Sequence, residues 1–314
     1  MTVTKARRTR RARRVHGVLL LLCALTFLLI GRRAGAEDRV LAVFLPGVHF
    51  ASLEQRLELG NELATHLSAK LGERYRLTPR VYSSADAMEA DAGRIALALV
   101  ESPYVAARLA TLLPVSVATA ASGEQTRLVV VASPAVRLPT ELRRVGLAFA
   151  SPLEAPQALL DNLLFEGELS IPREVWQPTR DVASALSLAS LHKAEAVLLY
   201  EDDLAAARQA QLRPLYLSER LPRPTLVMMD RRADAAEVQR LREALAQLKG
   251  QVQPTLRAFR ATSDEPYQAL RGRMERRLRR GPILVELHDE QGGSLPRPRG
   301  SSGSLVPLRA YAPE

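Results

Sequence analysis

Residues 95–100 read Ile-Ala-Leu-Ala-Leu-Val, six apolar residues in a row between Arg94 and Glu101. A run this short with no polar alternation reads as a strand covered on both faces, and such strands belong to parallel sheets inside α/β proteins. Similar runs fall at 41–45, 115–119, 127–132, 144–149, 196–200 and 225–229, with shorter ones at 81–83 and 215–217. Helical periods alternate with them. Ser52 reads as an N-cap with Gln55 three residues on, followed by Leu53, Leu57, Ala64, Leu67 and Leu71, and Gly72 stops the pattern. Further helices are expected over 102–112, 153–164, 182–191, 204–211 and 235–248. Strand-helix alternation of this kind implies an α/β fold of mostly parallel sheets flanked by helices.

The first 36 residues stand apart. They hold nine of the 44 basic residues and no acidic one, leaving 35 basic against 34 acidic, a net of +1, in the rest. A nucleic-acid binder carries its positive charge on the folded body, so no nucleic-acid partner is expected. Lys5 to Arg14 is a charged stretch, 17–30 is an apolar run of fourteen, and Ala34-Gly35-Ala36 offers small residues for cleavage. Residues 1–36 therefore read as an export signal, with a periplasmic mature chain. Fourteen apolar residues fall short of the roughly twenty that span a bilayer, which leaves an uncleaved anchor as the alternative. Cys23, the one cysteine, lies in that run. Disulfides, thiolate catalysis and cysteine-ligated metals are thereby excluded from the mature chain.

Several blocks carry a resemblance. Residues 93–105 end Glu101-Ser102-Pro103-Tyr104-Val105; 143–152 contain Gly146-Leu147-Ala148-Phe149-Ala150-Ser151-Pro152; 181–186 read Asp181-Val182-Ala183-Ser184-Ala185-Leu186; 217–222 and 263–267 follow. Their order resembles the phosphonate/phosphite-type substrate-binding proteins of ABC importers, within the type 2 periplasmic binding protein fold. The resemblance implies a two-lobed chain: lobe one over 39–132 and 225–280, lobe two over 133–224, crossings near Ala132–Ser133 and Pro222–Pro224, and ligand in the cleft between. Residues 281–314, rich in Gly, Ser and Pro, are expected to be a largely disordered tail. The turn that would take an oxyanion departs from the family pattern. Pro152 has no N–H to offer, and Glu154 can close a capping box with Ser151.

Five residues are candidates for ligand contact. Ser102 and Tyr104 follow a buried strand at a helix start, where the alternatives are an N-cap and a packed aromatic. Ser151 has the same two readings. Arg180 precedes a helix and could pair with an anion, or stand exposed. His49 lies in the loop after the first strand, facing the cleft or simply solvent. Glu201, Asp202 and Asp203 could bind a cation or a substrate amine, but read first as charges favouring the start of the next helix.

Catalysis finds no motif: the five histidines are scattered, and no nucleophile elbow, Walker loop or Gly-x-Gly-x-x-Gly turn occurs. The expectation is a monomeric, non-enzymatic solute-binding protein without metal or cofactor. Its ligand would be a small molecule, an oxyanion by the resemblance, and its partner an ABC permease. Alternatives are an envelope sensor or partner subunit on the same fold, and an exported enzyme.

Overall fold

The computed structural model describes residues 37–71, 75–148, 156–166, 169, 171–248, 256 and 258–275. The expected signal (1–36), Ser151 with its turn, and the tail (281–314) lie outside the described residues.

The strands form two sheets. The first takes β1 (Glu37–Phe44), β2 (Tyr75–Val81), β3 (Ile95–Val100), β4 (Leu113–Thr119), β10 (Thr225–Met228) and β11 (Ala258–Ala261), in the order β11-β4-β10-β3-β1-β2. The second takes β5 (Gln125–Ala132), β6 (Val145–Leu147), β7 (Trp176–Pro178), β8 (Ala196–Tyr200) and β9 (Arg213–Pro222), in the order β7-β6-β8-β5-β9. β1 pairs in parallel with β2 and β3, and β6 with β7 and β8. The chain crosses between sheets twice, and the strands beside those crossings, β5 and β10, run against their neighbours. Four of six strands in one sheet and four of five in the other therefore share a direction, the mixed form of a mostly parallel sheet.

The first crossing lies earlier than the sequence reading put it. β5 hydrogen-bonds to β8 and β9, so the chain passes into the second sheet around 120–124, before β5, and not at Ala132–Ser133. An apolar run says that a strand is buried, not in which sheet. The return falls between β9 and β10, at Arg223 and Pro224.

The helices are α1 (Leu53–Leu71), α2 (Ala85–Ala90), α3 (Ser102–Ala107), α4 (Pro156–Phe165), α5 (Val182–Ser190), α6 (Leu204–Gln209), α7 (Ala235–Ala246) and α8 (Glu265–Met274). In the first lobe α1 packs with α7, and α3 with α8. Right-handed crossovers put α1 and α3 on opposite faces, because the chain steps one way from β1 to β2 and the other way from β3 to β4. In the second lobe β5 shows the pleat directly. Leu128, Val130 and Ala132 join the main core with Leu160, Leu163 and Phe165, whereas Val129 and Val131 join a smaller core under α5 and α6.

Two local readings differ from expectation. α3 ends at Ala107 rather than near 112. On α1 the expected Ala64 and Leu67 are buried, but Arg56, Leu59, Gly60 and Leu63 complete the inward face, and Leu53 and Leu57 are left 59% and 40% exposed.

Candidate functional site

Open α/β sheets bind ligands at the carboxyl ends of strands, where successive connections leave in opposite directions. In the first sheet that point is the β1/β3 pair, since β1 leads outward to β2 and β3 leads back towards β4. The loop after β1 (45–52) and the step from β3 into α3 (Glu101, Ser102) lie there. Opposite them are the carboxyl ends of β6, β7 and β8, with Ala148, the start of α5, and the turn Glu201–Asp203.

The two sides touch. Gly47 N–H donates to Glu101 Oε1 at 2.6 Å, and the Tyr200 hydroxyl, from the second lobe, donates to Glu101 Oε2 at 3.1 Å. Val182 N–H, the first residue of α5, donates to Pro46 O at 3.1 Å. His49 N–H donates to Asp203 Oδ2 at 3.0 Å. Glu101 is fully buried, so a carboxylate of the protein's own fills the centre of the cleft. Gly47 is a glycine for space: a Cβ there would lie 2.9 Å from Glu101 Oε2 and 3.2 Å from Ala148 O.

These contacts set the protonation behaviour of the site. Burial pushes the Asp203 carboxyl up to about 7, and the His49 N–H bond works the other way. Burial and the Glu101 carboxylate hold the Tyr200 phenol well above its ordinary value, so it remains a donor. Burial lowers His49, with Asp181 nearby opposing.

A second cluster pins the crossings. Arg223 is fully buried and grips Asp202 with two nitrogens, one of these contacts at 2.9 Å. It also donates to Gly123 O at 2.9 Å and Ser122 Oγ at 2.7 Å. Thr126 donates to Asp202 at 2.8 Å. One guanidinium thus ties both crossing segments to the end of β8.

Beside the closed centre a groove of about 660 Å³ remains open between the lobes. Phe50, Leu53, Arg56 and Leu57 line it from the first lobe, Arg180 and Ser187 from the second. Arg56 is 6% exposed and stacks over the Phe50 ring at 4.9 Å, and among the described residues its Nε has no hydrogen-bond partner. Asp181, close by, is occupied: it caps α5 through Ser184 N–H at 2.9 Å and takes Arg180 Nε at 3.2 Å.

Of the five candidates the structure describes four, and it places them apart. His49 reaches the cleft through its backbone, and Arg180 lines the groove. Ser102 is fully buried at the start of α3, its hydroxyl without a partner among the described residues. Tyr104 packs edge-on against Phe44 and donates to Glu89 at 3.3 Å, and so serves the interior of the first lobe. Ser151 lies outside the described residues. Glu201, Asp202 and Asp203 do open the helical turn that leads into α6, but the carboxylates of Asp203 and Asp202 bond to His49 N–H and to Arg223. Glu101, Arg56 and Arg223 were missed. Glu101 carried a signal, as the charge directly ending an apolar strand; so did Arg56, a charge on the buried stripe of α1.

No known family model matches the sequence, and no curated protein does. Solved structures match in fold. XAC2383 from Xanthomonas citri, bound to ATP, aligns with TM-score 0.55 at 16% identity over 76% of this chain and 97% of its own. The binding-protein component of an ABC phosphonate transporter from Pseudomonas aeruginosa aligns with TM-score 0.57 at 12% identity, over 75% and 85%. PhnD1 from Prochlorococcus marinus, in complex with methylphosphonate, aligns with TM-score 0.55 at 12% identity, over 76% and 97%. The chain therefore has the two-lobed architecture of type 2 periplasmic binding proteins. Within that class, the solved structures it resembles include phosphonate-type binding proteins of ABC transporters.

Proposed function

We propose that this protein is an exported solute-binding protein that holds a small molecule between its lobes without altering it, for delivery to an ABC importer. The observation that carries this reading is the groove between α1 and α5, lined from both lobes and beside two pinned crossings. Such an arrangement lets closure report occupancy. The basic and apolar leader supports a periplasmic location, and the scattered histidines support a role without catalysis. The test is thermal unfolding of the full chain against a library of phosphonates, phosphate esters, amino acids, polyols and organic acids. A binder at a hundred times its Kd stabilises by about 2.7 kcal/mol. A library without a single upward shift removes the reading.

One observation favours a second reading, a partner or sensor subunit of an envelope complex without a role in uptake. The centre of the cleft is occupied by Glu101, stitched to both lobes. Affinity capture from an envelope fraction would then return a membrane protein other than an importer, and removal of 281–314 would weaken capture.

A further inference from the structure

The interlobe groove combines features that a receptor for small hydrophilic anions does not need. Among the described residues four large apolar side chains stand exposed, Leu53, Leu57, Leu138 and Leu191, and two of them, Leu53 and Leu57, line this groove one helical turn apart. Solvent-facing apolar groups gathered on the wall of a concavity mark a binding surface more than a chance scatter does. Between them in sequence, and on the inward side of the same turn, lies Arg56.

Arg56 is the unusual group. A buried charge is ordinarily paired and fully hydrogen-bonded, because leaving it otherwise costs several kcal/mol. Arg56 is 94% buried, yet among the described residues no hydrogen bond reaches its Nε. Of the described carboxylates that act on it, Asp181 is bonded to the start of α5 and to Arg180, and Glu101 is bonded to Gly47 and Tyr200. They act on Arg56 through space, as Arg180 does with the opposite sign, and burial opposes its charge. The Phe50 ring holds the guanidinium plane in place from one side. Its position in the first turns of the 19-residue α1 adds the positive end of the helix dipole. Arg180, 66% exposed on the opposite wall, puts a second cation at the rim.

We propose that the groove takes a small organic acid with an apolar body, the acid group paired with Arg56 and the body lying along Leu53 and Leu57. The proposal rests on the solute-binding reading above and gives it a ligand class. It places the anion on the first lobe, at the start of α1, and not at the second-lobe turn that contains Pro152.

Isothermal titration calorimetry on the full chain tests it with five probes: phenylacetate, acetate, 2-phenylethylamine, 2-phenylethanol and methylphosphonate. Phenylacetate is expected to bind at least about tenfold more tightly than each of the others, since each lacks the charge, its sign or the apolar body. Arg56→Gln should weaken phenylacetate by about 10- to 100-fold, the loss of a charge-assisted pair. Leu53→Ser, at an exposed position that folding does not depend on, should weaken it about three- to tenfold. It therefore keeps the test decisive even where Arg56→Gln fails to fold. Equal binding of the amine or the alcohol overturns the proposal, and so does phenylacetate binding indifferent to Leu53→Ser. Tighter binding of methylphosphonate overturns the ligand class and leaves the solute-binding reading standing. Silence from every probe and from the broader library overturns both.

Discussion

Replacing Asp203 by Asn tests whether the interlobe contact is as dry as its geometry implies. Asp203 ends the turn after β8, is 9% exposed, and accepts His49 N–H from the other lobe at 3.0 Å. Burial, reinforced by Asp202 and Glu101 and opposed by the His49 N–H and Arg223, raises its pKa from 3.8 to about 7. The folded chain therefore holds this proton more tightly than the unfolded chain. Below about pH 4 both states are protonated, and the residue's contribution is fully present. Between 4 and 7 the unfolded state gives up its proton first, and stability falls as pH rises. Above 7 the folded protein carries a buried carboxylate, and the contribution is lost. Three pH units at about 1.4 kcal/mol each set the full swing on the order of 4 kcal/mol. Asparagine keeps an oxygen for the His49 N–H and cannot ionise. Urea unfolding at pH 5, 6, 7 and 8 should show Asp203→Asn gaining about 2–4 kcal/mol on the wild type between pH 5 and 8. A difference constant with pH, or a variant weaker than wild type at pH 8, refutes the reasoning. Because the bonded N–H belongs to the first lobe, the same titration should favour closed lobes as the pH falls.

Three further outcomes are expected. Gly47→Ala drives a methyl group against Glu101 and Ala148 O, so it should wedge the lobes apart, enlarge the radius of gyration in small-angle scattering and cost about 1–3 kcal/mol. Arg223→Met strips Asp202 of its cationic partner, leaving it only the Thr126 hydroxyl among the described residues, and should cost about 3–5 kcal/mol in urea unfolding; Arg223→Lys, without the planar fork, should recover only part. Glu101→Ala orphans Gly47 N–H and the Tyr200 hydroxyl, and should cost about 1–3 kcal/mol for each group left dry, less where opening lets water in, read by thermal unfolding.

Legibility followed burial. The central strands β1, β3, β5, β8 and β10 are apolar on both faces, and each stood out as a run in the sequence. The edges did not. β2 reads Tyr-Arg-Leu-Thr-Pro-Arg-Val, and as an edge strand it tolerates Pro79 and alternates with arginines, so only its last residue was picked out. β7 and β11, three and four residues at sheet edges, carry too few buried positions to show a period. The stripe expected on α1 holds at Ala64 and Leu67 and fails in the first turns, where Arg56 and Gly60 sit on the buried side while Leu53 and Leu57 line the groove. A leucine stripe points to the core only when the core is what it meets. The cleft contacts were hidden for another reason. His49 and Asp203 are 154 residues apart, Gly47 and Glu101 54, and the bonds run from backbone N–H groups, which every residue but proline has.

Spin labels at Lys70 on α1 and Ser190 at the end of α5, with Cys23 replaced, read the lobe-to-lobe distance by pulsed electron resonance. A cleft that opens and closes predicts a distribution that broadens with Glu101→Ala and narrows to one short distance when the solute that most raises the unfolding temperature is added. A single narrow distance, blind to both the substitution and every solute, would contradict it.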